Sequence, residues 1–123
     1  MIDEFFASLG GAPFRHRDHL RLAWRAVRES DRPVEVVGEG IRRYAAAHGA
    51  AARYHETLTA FWVLLVAHCV AVRPELDDFD EFLAAFPLLL DETLAERHWS
   101  SEALWSDDAR AAWREPDLLP LPA

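Results

Sequence analysis

The sequence contains no lysine and only one cysteine. All 13 of its basic residues are arginines, so it offers no side chain for a lysine Schiff base, a P-loop lysine or a lysine general base. Because Cys69 is alone, no intrachain disulfide and no CxxC redox or zinc motif can form. These enzyme classes are excluded, and we expect a reducing, cytoplasmic setting.

Long apolar runs and a net positive charge are also missing. The longest apolar run, residues 60–72, is interrupted by His68 and Cys69 and is shorter than the roughly 20 residues of a membrane span. The first residues, Met-Ile-Asp-Glu-Phe-Phe, include two acidic side chains, whereas a signal peptide begins with basic residues. A net charge of −8 repels nucleic acids and anionic membranes. We therefore expect neither as a partner.

What the chain does have is hydrophobic residues at helical spacing. A hydrophobic content of 51% over 123 residues is enough for one domain, residues 1–123. No segment shows the alternation of apolar and polar residues that is typical of a β-strand. The sequence predicts an all-α fold, an irregular bundle of five to seven helices around a central apolar helix at about residues 51–72. It also predicts an extended proline-rich C-terminal tail, held across the bundle by its leucines.

Two polar inserts interrupt these apolar stripes, Phe14-Arg-His-Arg-Asp-His-Leu20 and Tyr54-His-Glu-Thr-Leu-Thr59. His16 and His19 share a helix face with Leu20 and Trp24, so the spacing places both imidazoles toward the core. A buried imidazole without a partner costs about 1–3 kcal/mol. We therefore expect these histidines to be hydrogen-bonded, bound to a metal or used in chemistry.

One interpretation is a small-molecule pocket between the second helix and the start of the central helix. An inward histidine with a pKa near its ordinary value needs only a carboxylate to orient it for acid–base chemistry. The predicted catalytic residues are His19, His55 and Glu56. An apolar floor with a few polar groups is typical of ligand pockets, and the predicted ligand-binding residues are Trp24, Tyr54, Thr59 and Trp62.

A second interpretation is a metal site. Three protein ligands with one open position are the arrangement of catalytic zinc. His16 and His19 at i, i+3, together with His55, would supply the three ligands for a divalent metal such as zinc.

The rival interpretation makes the same histidines structural. Histidines near helix starts often donate to the end carbonyls of neighbouring helices, and threonines bond back to their own helix. The chain would then be a non-catalytic accessory or ligand-sensing protein. A large exposed apolar face in the structure would favour this alternative.

Both inserts also carry a resemblance. With Phe79-Asp-Glu-Phe-Leu83 and the closing Glu115-Pro-Asp-Leu segment, the F-x-H-R-D-H-L and Y-H-E-T-L-T motifs make the chain resemble a family of small, uncharacterised bacterial all-α proteins. The resemblance spans nearly the whole chain and implies a stand-alone helical domain. It implies no activity, cofactor or catalytic residue.

Overall fold

Helices are the regular secondary structure of residues 2–122. The computed structural model describes residues 2–122, and among them it contains seven α-helices and no strand. They are α1 (Ile2–Ser8), α2 (His16–Glu29), α3 (Pro33–Ala47), α4 (Glu56–Val72), α5 (Phe79–Ala85), α6 (Ser101–Leu104) and α7 (Asp107–Ala111). Shorter 3-10 turns cover Ala51–Arg53, Pro87–Leu90 and Leu94–Arg97. The predicted all-α bundle is confirmed.

Local sequence explains several of the helix ends. Gly49 follows α3 with φ at 69°, a left-handed conformation that only glycine adopts without strain. Pro33 opens α3, where its missing N–H is not needed. The side chains of Asp78, Ser100 and Ser106 accept hydrogen bonds from backbone N–H groups at the starts of α5, α6 and α7.

The central helix begins later than the sequence predicts. The chain forms a 3-10 turn over Ala51–Arg53, runs extended through Tyr54 and His55, and enters α4 only at Glu56. His55 is the N-cap, because its Nδ1 accepts the backbone N–H of Leu58 at 3.1 Å. Histidine is an uncommon N-cap residue, so it did not mark a helix start in the sequence. The helical pattern alone therefore predicted a start that is too early.

One hydrophobic cluster contains residues from each of the helices α1 to α6. Trp99, Phe5, Phe61 and Phe82 are among its largest fully buried side chains, and such aromatic rings dominate core energetics because each buries about 150–250 Å². The ring of Trp99 meets Phe61 edge-on, with 5.4 Å between their centroids. Helices α2 and α4 pack side by side at the centre of this cluster.

The C-terminal residues 112–122 contain no helix and cross the bundle. The Leu118 N–H donates to the carbonyl of His98 at 2.9 Å, and the Trp99 indole N–H donates to the carbonyl of Arg114 at 2.9 Å. Leu118 and Leu119, however, are 54% and 55% exposed. Trp113 and Leu121, by contrast, pack against the hydrophobic core. The tail is therefore held by hydrogen bonds and by these two side chains, and the prediction that its leucines hold it is wrong for Leu118 and Leu119.

Within residues 2–122, no helix combines the length and the apolar character that crossing a bilayer requires.

Candidate functional site

His16 stands at the start of α2 and faces the core, as its spacing predicts. Its Nε2–H donates to the carbonyl of Leu89 at 2.7 Å, because a carbonyl oxygen can only accept. Its ring meets the indole of Trp62 edge-on, with 4.5 Å between the centroids. One nitrogen of His16 is thus committed to joining α2 to the Pro87–Leu90 turn.

His19, one turn further along α2, has a ring nitrogen without a hydrogen-bond partner. Its Nε2 is buried and has no hydrogen-bond partner, and its ring packs beside Phe14 at 5.9 Å between centroids. Burial, and secondarily the nearby His16, lower the pKa of His19 to about 4. At neutral pH the imidazole is therefore uncharged.

A cleft opens beside these two histidines. Phe14, Arg15, His16, His19 and Glu92 line a space of about 180 Å³. Pockets that enclose a small organic ligand usually measure about 300–1,000 Å³. The cleft therefore has room for water or a group of a few atoms, and it is smaller than the predicted small-molecule pocket.

His55 does not join the other two histidines in this cleft. Its Nδ1 accepts from the Leu58 N–H at 3.1 Å, and its Nε2–H donates to the carbonyl of Leu104 at 2.6 Å. Both ring nitrogens are occupied, which defines the neutral Nε2–H tautomer, and burial lowers the pKa of His55. The structure gives His55 a structural role as the cap of α4 and its link to α6, and its predicted catalytic role stays a prediction.

The predicted metal centre is not assembled either. Among residues 2–122, no three histidine, cysteine, aspartate or glutamate side chains are placed to hold a metal ion. The ligand set of His16, His19 and His55 fails for a geometric reason. Both ring nitrogens of His55 already bond to the backbone, so this residue has no free lone pair for a zinc ion, whereas His16 uses only its Nε2.

Glu56 has partners other than the histidine it was predicted to orient. Its Oε1 accepts from the Tyr54 hydroxyl at 2.6 Å and from the guanidinium of Arg42 at 3.1 Å. Burial, with the hydrogen bond and negative charge of Glu56, raises the pKa of Tyr54 to about 12. A Cβ at Gly38 would lie 3.0 Å from the Tyr54 hydroxyl oxygen, so the glycine on α3 makes room for this cluster.

The two threonines of the second insert are buried and act within the fold. Thr59 hydrogen-bonds the Tyr54 hydroxyl. Thr57 Oγ1 donates to the carbonyl of Ala112 at 2.9 Å and accepts the backbone N–H of Arg114 at 3.1 Å. Thr57 therefore joins α4 to the C-terminal tail, a contact that spans more than fifty residues and leaves no local pattern in the sequence.

The two tryptophans predicted as pocket walls lie in different places. Trp62 is 4% exposed and packs between His16 and Phe61 in the core. Trp24 lines a separate cleft of about 340 Å³ with Arg25, Arg28 and Glu29. The residues of the two inserts are thus divided among several contacts, and they do not form one pocket.

Part of the apolar surface of α4 is exposed. The helix is apolar nearly all round and lies at the centre of the bundle as predicted, yet Leu64 and Val72 are 40% and 55% exposed. We call Leu64, Leu65, His68, Ala71 and Val72 the α4 face. It borders two clefts that share Leu65. One measures about 420 Å³ and reaches Leu121 and Pro122.

The other cleft on this side measures about 290 Å³ and is lined by Leu65, Cys69 and the apolar residues 85–89 with Leu94. Beside it, Leu88 and Leu90 are 59% and 50% exposed. Exposed apolar side chains scattered singly are ordinary, whereas contiguous ones mark interaction surfaces. This surface and the histidine cleft are the two candidate sites.

Comparison of the chain with models of known families, with curated proteins and with solved structures finds no match. The resemblance carried by the two histidine-containing motifs therefore stays a prediction.

Proposed function

We propose that this chain is a non-catalytic accessory protein that binds an amphipathic helix of a partner protein on the α4 face. The observation that carries the proposal is the pair of apolar clefts, about 420 and 290 Å³, that meet at Leu65 on an exposed side of the most hydrophobic helix. Interaction surfaces are the usual reason for such contiguous apolar exposure.

The spacing of the α4 face favours a helical occupant. Its residues stand at i, i+1, i+4, i+7 and i+8, the positions that one helix presents to another. They extend over about 12 Å of helix at a rise of 1.5 Å per residue. Ala71 is small and exposed, which permits close approach of a partner backbone. Recognition would follow the helix-in-groove mode, with apolar anchors on either side of Leu65.

Charge favours a basic partner over a second copy of this chain. The chain has 21 acidic and 13 basic residues, and Asp91 and Glu92 directly follow the Leu88 and Leu90 side chains beside the smaller cleft. A second copy would bring the same net charge of −8, which opposes association. A helix with leucines on one side and lysine or arginine at its edges complements both features.

In this proposal, the histidines of the two polar inserts have a structural role and stabilise the fold. His16 and His55 bond to backbone carbonyls of distant turns. The cytoplasmic setting also remains part of the proposal, supported by the single free and buried Cys69.

Binding of a designed peptide tests the proposal. The probe is a fluorescein-labelled helical peptide of leucine and lysine, and the comparison peptide replaces every lysine by glutamate. We expect the lysine peptide to bind more tightly. We also expect Leu64→Gln to weaken its binding about tenfold, because burying one leucine contributes about 1.5 kcal/mol or more.

Leu118→Gln is the matched control, since Leu118 is also an exposed leucine but lies on the C-terminal tail. Fluorescence anisotropy measures all six combinations of the two peptides with the wild type, Leu64→Gln and Leu118→Gln. Equal affinity for the wild type and Leu64→Gln would contradict the proposal. So would a dimer in sedimentation equilibrium that Leu64→Gln dissociates, because the face would then bind a second copy.

A second candidate function is the binding of a small polar ligand in the histidine cleft. The observation that favours it is the buried His19 Nε2 without a partner, which a ligand's polar group would satisfy. Acid–base catalysis is less well supported, since an effective general base has a pKa near the working pH and that of His19 is lowered to about 4.

Formate and acetamide are suitable probes for this candidate because each consists of only a few heavy atoms. We expect either probe to move the ¹⁵N resonance of His19 Nε2 saturably, while the resonances of the exposed His48 stay in place. Absence of movement with both probes would exclude the ligand site. The Leu64→Gln experiment does not depend on this result.

A further inference from the structure

The second half of α2 forms a cleft that neither the α4 face nor the histidine cleft includes. Trp24, Arg25, Arg28 and Glu29 line it, and its volume is about 340 Å³. This value lies within the usual range for small-ligand pockets, about 300–1,000 Å³. The residues come from two successive turns of one helix, so their relative positions are set by helix geometry.

Trp24, which lines this cleft, carries an unused hydrogen-bond donor. The residue is 9% exposed, and its Nε1 is buried without any acceptor. Buried polar groups without a partner are rare in folded proteins. An indole N–H can only donate, so the missing partner must be an acceptor.

The two arginines supply positive charge beside this donor. The guanidinium of Arg28 lies over the Trp24 ring, 4.9 Å from its centroid, and donates one hydrogen bond to the carbonyl of Leu76 at 2.9 Å. A guanidinium has five N–H donors, so this bond fixes its position and uses only one of them.

Arg25 is the more loosely paired of the two. Its Nε lies 3.5 Å from the carboxylate of Glu29, which is longer than the roughly 2.7–2.9 Å of a strong charged hydrogen bond. Two guanidinium groups and one carboxylate leave the cleft positive, in a chain whose net charge is −8. The local charge is therefore opposite to that of the whole molecule.

We propose that this cleft binds an oxyanion, the carboxylate or phosphate group of a small molecule. One oxygen accepts the indole N–H of Trp24, and the others accept from Arg25 and Arg28, which provide the planar donor pairs that match these anions. To accept the anion, Arg25 exchanges its long contact with Glu29 for the ligand. The site is independent of the peptide-binding proposal because the two share no residue.

Titration of the full-length ¹⁵N-labelled protein tests this site. Five tryptophans give five indole N–H cross-peaks, and Trp24→Phe identifies that of Trp24 by its disappearance. Inorganic phosphate and acetate are added in separate arms at constant ionic strength, which distinguishes the two anion sources. We expect the Trp24 indole proton to move downfield and saturate with at least one anion.

Matched variants separate specific binding from a general salt effect. We expect Arg25→Gln and Arg28→Gln each to weaken the apparent Kd about tenfold, while Arg43→Gln, with the same change of charge at a residue of α3 outside the cleft, leaves it unchanged. The proposal is overturned if the Trp24 cross-peak does not move with either anion. It is also overturned if the cross-peak moves without saturating, or moves equally in all three arginine variants.

Discussion

The stability of the fold is expected to depend on pH through His19. Burial lowers the pKa of His19 to about 4 in the folded state, whereas the unfolded chain has an ordinary histidine with a pKa near 6.5. Above pH 6.5 both states are neutral and the contribution of His19 is complete. As pH falls toward 4, the unfolded state takes up the proton first, and stability is lost.

The size of this loss follows from the two pKa values. At pH 4.5, linkage predicts that His19 lowers the free energy of unfolding by about 2.5 kcal/mol relative to neutral pH. His19→Leu removes the titrating group and also the unpartnered Nε2, at a position lined by Phe14. We therefore expect the variant to be as stable as the wild type at pH 7.5, or more stable.

Urea denaturation followed by far-UV circular dichroism measures both proteins at pH 7.5 and 4.5. The quantity of interest is the difference between their losses of stability, because the carboxylates and the other histidines contribute equally to each. A loss in His19→Leu equal to that of the wild type would refute the reasoning. It would mean that His19 titrates normally in the folded protein and that its ring is solvated.

Three further results are expected. His55→Ala should lower the free energy of unfolding by about 2–5 kcal/mol in urea denaturation, because it removes both the α4 cap and the donor to Leu104, whereas His55→Asn keeps the cap and should lose less than His55→Ala; equal losses would argue against two separate bonds. Thr57→Val should cost about 1–3 kcal/mol and speed proteolysis near Arg114, since both of its hydrogen bonds to the tail disappear; unchanged proteolysis would contradict this role. Tyr54→Phe should abolish the tyrosinate absorbance step near pH 12, and survival of that step would assign it to another residue.

The helical fold was accessible from the sequence because its determinants are local. Apolar residues at helical spacing, Gly49 after α3, Pro33 at its start and Ser100 and Ser106 as caps all act within a few residues of the chain. The start of α4 was predicted too early because it also depends on contacts with residues distant in sequence. The cap at His55 also depends on the Leu104 carbonyl, which a local pattern does not include.

The candidate site was only partly accessible from the sequence. The inward direction of His16 and His19 follows from helix periodicity and is borne out by the Leu89 bond and the buried Nε2. Their grouping with His55 does not follow, because periodicity gives the face of each helix and says nothing about which turns of two helices meet. The pairing of Glu56 with Tyr54 and Arg42 depends in the same way on how α3 approaches α4.

The sequence by itself determined that this protein is helical, that α4 is its most apolar helix and that histidines interrupt its inward stripes, since these properties reside in neighbouring residues. Only the tertiary structure decided which of those histidines are already bonded and which side of α4 is left uncovered. Hydrogen bonds such as that from Thr57 to Ala112 and burial such as that of Trp24 depend on chain segments distant in sequence. That is why the predicted single pocket resolves into a small histidine cleft, an apolar face and an arginine-lined cleft.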